Sequence, residues 1–301
     1  MGMNVETVTT APPKEISPSG MKVIWREIRK DRMAMISLVV LGIVLIAVYS
    51  AALFIDKDAV ARVDVFSIYM DPSSAYWLGT DYGGRDVFKQ LIIGTRNSFS
   101  ISLGITVLTA LIGLSAGLIA GYFGGWTDNI IMRVIDFVIT LPQMMFIIVL
   151  VTIIPKFTVT TFILIMTLFL WTGKARLIRS KVLSERELDY VHASQTLGTP
   201  HWKIILYHIL PNVSSLIIVN FTLNLAGNIG LETALTFLGF GLPESTPSLG
   251  TLIAYATNPE VLEYRWWIWL PASVMILILM LSINFIGQAL KRAGDARQRR
   301  G

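Results

Sequence analysis

The chain has 301 residues, 53% hydrophobic and 15% charged, with no cysteine and a net charge of +5. A soluble domain carries roughly 25% charged residues, so this composition excludes an ordinary water-soluble enzyme and marks an integral membrane protein. The missing cysteines exclude disulfides, thiolate metal sites and a cysteine nucleophile; the basic residues cluster beside apolar runs, as membrane topology requires, and do not argue for a nucleic-acid partner.

Residues 1–20 are rich in Thr, Pro, Ser and Gly and are expected to be disordered or loosely attached. Lys22 to Arg32 is charged and periodic enough for a short interfacial helix. The apolar run behind it is too long, and starts too late, for a cleaved signal peptide. Met33 to Ile55 is the first span, close to the roughly 20 residues a crossing needs. Asp56 to Arg96 is a long polar loop holding Asp81, Gly84, Arg85 and Asp86. Such a cluster suits a loop fastened by Arg–carboxylate bonds better than a metal or catalytic site.

Asn97 to Tyr122 is the second span, in which Gly113, Gly117 and Gly121 recur every four residues; small residues at that spacing let two helices approach closely, within or between subunits. Arg133 and Asp136 open the third span, which reaches about Ile154. Pro142 lies inside it and implies a kink. Arg133 and Asp136 read as a local ion pair, with a proton-relay site as the rival. Pro155 and Lys156 make a tight outer turn, and Phe157 to Trp171 begins the fourth span.

Gly173 to Pro211 is a polar, helix-compatible island. One short helix should end near Gly198 and another begin beyond Pro200. Asn212 to about Phe240 is the fifth span, with Asn220, Asn224, Asn228 and Glu232 at intervals of four and Thr236 continuing the series. Residues so spaced share a helix face, and a polar stripe facing lipid is heavily penalised. The asparagines therefore either line a solute pathway or bridge helices, and Glu232 reads as structural. After an outer loop with three prolines, Trp266, Trp267 and Trp269 fit an interfacial belt, Leu270 to Leu290 is the sixth span, and a basic tail follows.

Six spans place the N-terminus, the 121–133 turn, the 173–211 segment and the tail on one side, with 18 of the 25 Lys and Arg residues against 7 opposite. The positive-inside rule puts that richer side in the cytoplasm. The spacings of His192, His201 and His208 suggest no metal site, and no phosphate-cradling glycine loop is present.

His192-Ala193-Ser194, Gly198, His208 and Leu210-Pro211 occupy the places of Glu-Ala-Ala, Gly, Ile and Leu-Pro in the EAA loop of ABC-importer membrane subunits, which this stretch resembles. Asp189-Tyr190-Val191 before it, the Leu-Gly-Thr-Asp81 and Gly84-Arg85-Asp86 signature, and the segment Gly121 to Asp136 are similar to the peptide-importer branch. The tail departs from that branch, whose pattern reads Gly-Asp-x-Leu-Arg-Asp; here Gly287-Gln288-Ala289-Leu290-Lys291-Arg292 replaces both acids.

The resemblance implies an all-α membrane protein of six transmembrane helices in the type I ABC importer permease fold, with cytoplasmic N- and C-termini. It divides into a cytoplasmic N-terminal segment (1–32), the first transmembrane helix (33–55), an extracytoplasmic loop (56–96), a five-helix core (97–290) including the coupling loop 173–211, and a basic tail (291–301). It further implies a bacterial cytoplasmic membrane protein without catalysis of its own or a cofactor in this chain. ATP and Mg would act in two partner ATPase subunits, beside a homologous second permease subunit, an extracytoplasmic peptide-binding protein and membrane lipid. Tyr190, Val191 and Ala193 would pack in the ATPase groove, Gly198 would set the turn and Pro211 would fix the join to the fifth span. Rival readings are a related importer for nickel or another small solute, an ion-coupled secondary transporter, and, more weakly, an intramembrane protease.

Overall fold

The computed structural model describes residues 25–26, 28–56, 60–154 and 157–298. The expectations for residues 1–20 and for the Pro155-Lys156 turn lie outside these. The described residues are helical without a strand; a lone bridge joins Thr80 and Asp86. Four helices are long and apolar enough to cross a membrane, or up to six if each of two bent pairs is one crossing.

Helix α1 (Arg32–Phe54) starts where Asp31 accepts hydrogen bonds from the Met33 and Ala34 amides at 3.0 and 3.2 Å. This carboxylate cap satisfies donors that the first turn leaves free. The same Asp31 carboxylate pairs with Arg292, which ties the start of α1 to the basic end of the chain.

Helix α2 runs Val87–Phe123, beginning ten residues before the expected second span. Asp86 caps it through the Phe88 and Lys89 amides. The polar residues that read as loop, Gln90 and Thr95, are buried against protein and continue the helix past the apolar run.

The third span is broken rather than kinked. Helices α3 (Gly125–Thr140) and α4 (Gln143–Ile153) meet at 78°. Pro142 supplies no amide hydrogen and pushes Leu141 into extended backbone (φ −73°, ψ 137°), which ends α3 outright. The fourth span bends less: α5 (Val159–Leu170) and α6 (Thr172–Arg186) meet at 43°. The next long helix, α8 (His201–Phe237), follows the short α7 (Asp189–Thr196) and runs through Pro211 without a break. Its turn at Ile204–Ile209 is π-helical. That wider turn precedes the proline, whose missing donor and ring would clash with a tight α-turn. Two short outer helices, α9 (Leu249–Ala254) and α10 (Pro259–Tyr264), lead to α11 (Trp266–Gln298).

Helices α1, α2, α8 and α11 pack around a core that includes Leu225, Ile229, Leu252, Ile268 and Leu279. The glycine series of α2 faces α6 of the same chain. A β-carbon on Gly113 would sit 2.8 Å from Lys174 Cβ, on Gly117 2.8 Å from the Ala175 carbonyl oxygen and Ile178 Cβ, and on Gly121 2.8 Å from Val182 Cβ. The seam has no room for any side chain. Gly117→Val is therefore expected to destabilise the chain by about 1–3 kcal/mol through overpacking. Gly173, whose β-carbon would meet nothing within 4 Å, should accept alanine and gain up to about 1 kcal/mol of helix propensity. Thermal unfolding in detergent separates the two outcomes.

Candidate functional site

The polar island forms one structural unit with the C-terminal ends of α2 and α6. Helix α7 ends in a Schellman turn: the Gly198 amide donates to the Gln195 carbonyl at 2.9 Å and the Thr199 amide to the Ser194 carbonyl at 3.1 Å. Gly198 stands at φ +76° and a β-carbon there would meet nothing within 4 Å, so the conformation, not space, calls for glycine. Pro200 then begins α8, its carbonyl accepting from the Lys203 amide at 2.9 Å.

Beneath this turn lies a small apolar core of Val182, Val191, Ile204, Ile209 and Val213, all fully buried, with Leu118 and Tyr122 of α2. Val191 therefore braces the segment from behind, and the expectation that it enters a partner's groove is corrected. An eight-residue helix against a core must turn one face inward, and Val191 is on that face. Tyr190 is held sideways: its hydroxyl donates to Glu185 Oε2 at 3.1 Å and accepts from Asn212 Nδ2 at 2.7 Å. The His208 ring lies 6.2 Å from that of Tyr190, on the π-helical turn. His201 Nδ1 is 2.7 Å from the Tyr122 hydroxyl, which locks the start of α8 to α2.

Asp189, His192, Ala193 and Pro211 are exposed, and Leu210 is half-buried. Sequence reasoning passed over two exposed apolar groups of the segment, Leu197 at 84% and Trp202 at 56%, which flank the Gly198 turn. Their signal was their place: apolar side chains beside a glycine turn in a polar stretch.

Two ion pairs fasten α3 to α6. Asp136 pairs with Arg176, and Asp128 takes Arg179 on both carboxylate oxygens. Asp136 thus reaches across to α6, and the expected Arg133–Asp136 pair is corrected. Two acids eight residues apart on α3 meet two bases three apart on α6, a spacing that a single-helix reading does not expose.

In the polar stripe of α8, Asn228 donates to Thr106 Oγ1 of α2 at 2.8 Å and is buried, so it bridges helices. Asn220 and Asn224 return their amides to carbonyls of their own helix, Leu216 and Asn220, at 2.9 and 2.6 Å. Glu232 is fully buried and accepts from Thr236 Oγ1 at 3.2 Å.

In the outer loop, Asp81 accepts from the Gly83 and Arg85 amides at 2.8 and 3.0 Å, from Arg85 Nε at 2.8 Å and from Gln90 Nε2 at 2.9 Å. Arg85 also donates to the Tyr255 hydroxyl at 3.0 Å. Gly84 sits at φ +71° in the tight turn between them. Asp86 takes no part in that cluster; it caps α2 and pairs with Lys89 at 3.2 Å. Among the described residues no group of acids and histidines could hold a metal ion.

Residues 113–300 match the family described as the binding-protein-dependent transport system inner membrane component, and residues 19–70 match the N-terminal TM domain of oligopeptide transport permease C. The chain is 49% identical over 276 residues to the oligopeptide transport system permease protein OppC of Lactococcus lactis, covering 91% of this chain and 94% of that one. It is 33% identical over 281 residues to the protein of the same name from Bacillus subtilis, at 92% and 91% coverage. Over 224 residues it is 37% identical to the peptidoglycan transport system permease protein YejE of Agrobacterium fabrum, covering 74% of this chain and 57% of that one. The chain belongs to the binding-protein-dependent transport system inner membrane component family.

Proposed function

We propose that this chain is the membrane-spanning subunit of an ATP-driven importer of peptides, and that it meets its ATPase through the segment 187–212. The end-to-end match to oligopeptide permeases carries the peptide reading. The chain is a multi-pass protein of the bacterial cytoplasmic membrane. Counting each bent pair as one crossing gives six spans and puts both ends on one side; the Asp31–Arg292 pair supports that arrangement. The lysine and arginine excess makes that side cytoplasmic.

Two such subunits would enclose the pathway, with ATP and Mg bound by two separate ATPases and an extracytoplasmic protein delivering the peptide. In this arrangement Leu197, Trp202 and Ala193 are the surface offered to the ATPase, and Tyr190, Val191 and Gly198 hold that surface in shape. Because α6 is fastened to α2 by the glycine seam and to α3 by two ion pairs, a pull on the segment moves α2 and α3 together. Asn228 joins α8 to the same body.

The chain has no native cysteine, so a single introduced thiol reports alone. A benzophenone attached at Leu197→Cys should crosslink to a Walker-type ATPase recovered with the tagged complex, whereas the same label at exposed Trp126→Cys should not. A chain that purifies without any ATPase would end this assignment.

A further inference from the structure

Beyond the ends of α2 and α8, on the face opposite the segment 187–212, an open cavity of about 740 Å³ lies between the outer loop and α9. That size is in the range of small-ligand sites, about 300–1,000 Å³. Its wall includes Tyr82, Tyr255, Phe237, Asn258 and the carboxylate of Glu244. The Tyr82 and Tyr255 rings meet edge to face with centroids 5.4 Å apart, and Tyr82 also donates its hydroxyl to Glu244.

The charges around the cavity do not cancel. Arg85 is buried and committed to Asp81 at 2.8 Å; Glu244, with 54% of its side chain exposed, lies farther from it at 3.6 Å. Arg265 and Glu260 neutralise each other at 3.0 Å. Burial pushes the Tyr255 hydroxyl far above the usual phenol range and raises that of Tyr82, so both rings stay neutral. The carboxylates Asp81, Glu244 and Glu260 outnumber the guanidiniums Arg85 and Arg265 by one, and Glu244, shared with Arg85 and Tyr82, is the acid in the cavity wall. The end of α8 at Phe237, with Leu238 and Gly239 following it, forms part of the same wall, and a helix C-terminus presents partial negative charge. The Arg85 guanidinium already lies over the Tyr82 ring, 5.1 Å from its centroid, so Tyr82 acts through its hydroxyl on Glu244, and the aromatic attraction for a further cation is left to Tyr255 in the cavity wall.

We propose that this cavity receives an ammonium group of the cargo, with Glu244 as counter-ion, the Tyr82 hydroxyl holding that carboxylate and Tyr255 as the aromatic wall. The inference rests on the peptide-importer reading, which supplies a cargo with an ammonium at its N-terminus or on a lysine side chain.

The test uses the complete transporter in proteoliposomes with its binding protein, and two peptides carrying a diazirine, one in the first residue and one beside an internal lysine. Irradiation of the wild type should mark residues 236–258. Glu244→Gln should lower both labelling and uptake about 10-fold, Glu244→Lys should lower them further, and Glu244→Asp should restore most of both, at equal recovery of the complex. Labelling only from the first residue assigns the site to the N-terminal ammonium, and labelling only beside lysine to the side chain. Equal labelling and uptake in all variants would overturn the proposal. So would loss of the assembled complex in Glu244→Gln, which makes the cavity a subunit contact. Wild-type vesicles that take up no peptide sink the importer reading itself, and the proposal with it.

Discussion

Gly198→Val is expected to lower peptide uptake about 5- to 100-fold while the chain still inserts and accumulates normally. The turn needs φ +76° at this position. A β-branched residue in that region costs about 1–3 kcal/mol, and each ~1.4 kcal/mol is a tenfold change in the population that can dock. The strain has no clash to relieve it, since nothing lies within 4 Å of the new β-carbon. The loop must instead leave the Schellman turn, and Leu197 and Trp202 then lose their relative position. Asparagine tolerates left-handed backbone far better, so Gly198→Asn should retain most uptake. The measurement is initial uptake in vesicles beside recovery of the ATPase with the tagged chain. Normal transport by the valine variant would remove the turn from the docking surface.

Asp81→Ala is expected to act through folding, costing about 3–5 kcal/mol. It takes away a carboxylate that accepts four hydrogen bonds and leaves the Arg85 guanidinium buried without its partner. The detergent Tm should fall by several degrees and the 60–86 loop should become open to protease. Replacing both members, Asp81→Leu with Arg85→Met, should recover much of the loss, because the penalty comes from the stranded charge more than from the missing attraction. A single variant as stable as the wild type would mean that Arg85 finds another acid, and Glu244 at 3.6 Å is the one in reach.

What the sequence made legible follows the range of each signal. The apolar run of α1 marks both its ends, Arg32–Phe54 against an expected Met33 to Ile55, because hydropathy alone decides them. Gly198 and Pro200 mark the turn in the 187–212 segment because each residue has a backbone preference of its own. The start of α2 was hidden because Gln90 and Thr95 are polar yet buried in protein, and polarity there says nothing about lipid. Pro211 read as a boundary because an α-helix cannot hold it; the π-helical turn before it was invisible in the residue types. The glycine spacing of α2 announced close packing without naming α6 as the partner. Asp136 was matched to Arg133 because local spacing is all a sequence shows, whereas Arg176 comes within reach only after two bends of the chain. Val191 was placed on the docking face because about two turns of helix are too short for periodicity to reveal the inward face.

Helix α2 is 37 residues long and contains neither a proline nor a break. At about 1.5 Å per residue it is a rod of roughly 55 Å, close to twice the thickness of the ~30 Å hydrocarbon layer. Such a rod works as a see-saw. A tilt of about 5° about its middle displaces the two tips relative to each other by roughly 5 Å along opposite directions. One tip is pinned to α6 at Gly121 and the other starts beside Arg85, under the wall of the outer cavity. Neither tip can be held still while the other swings, so the two faces of the membrane keep time with each other through this one piece of backbone.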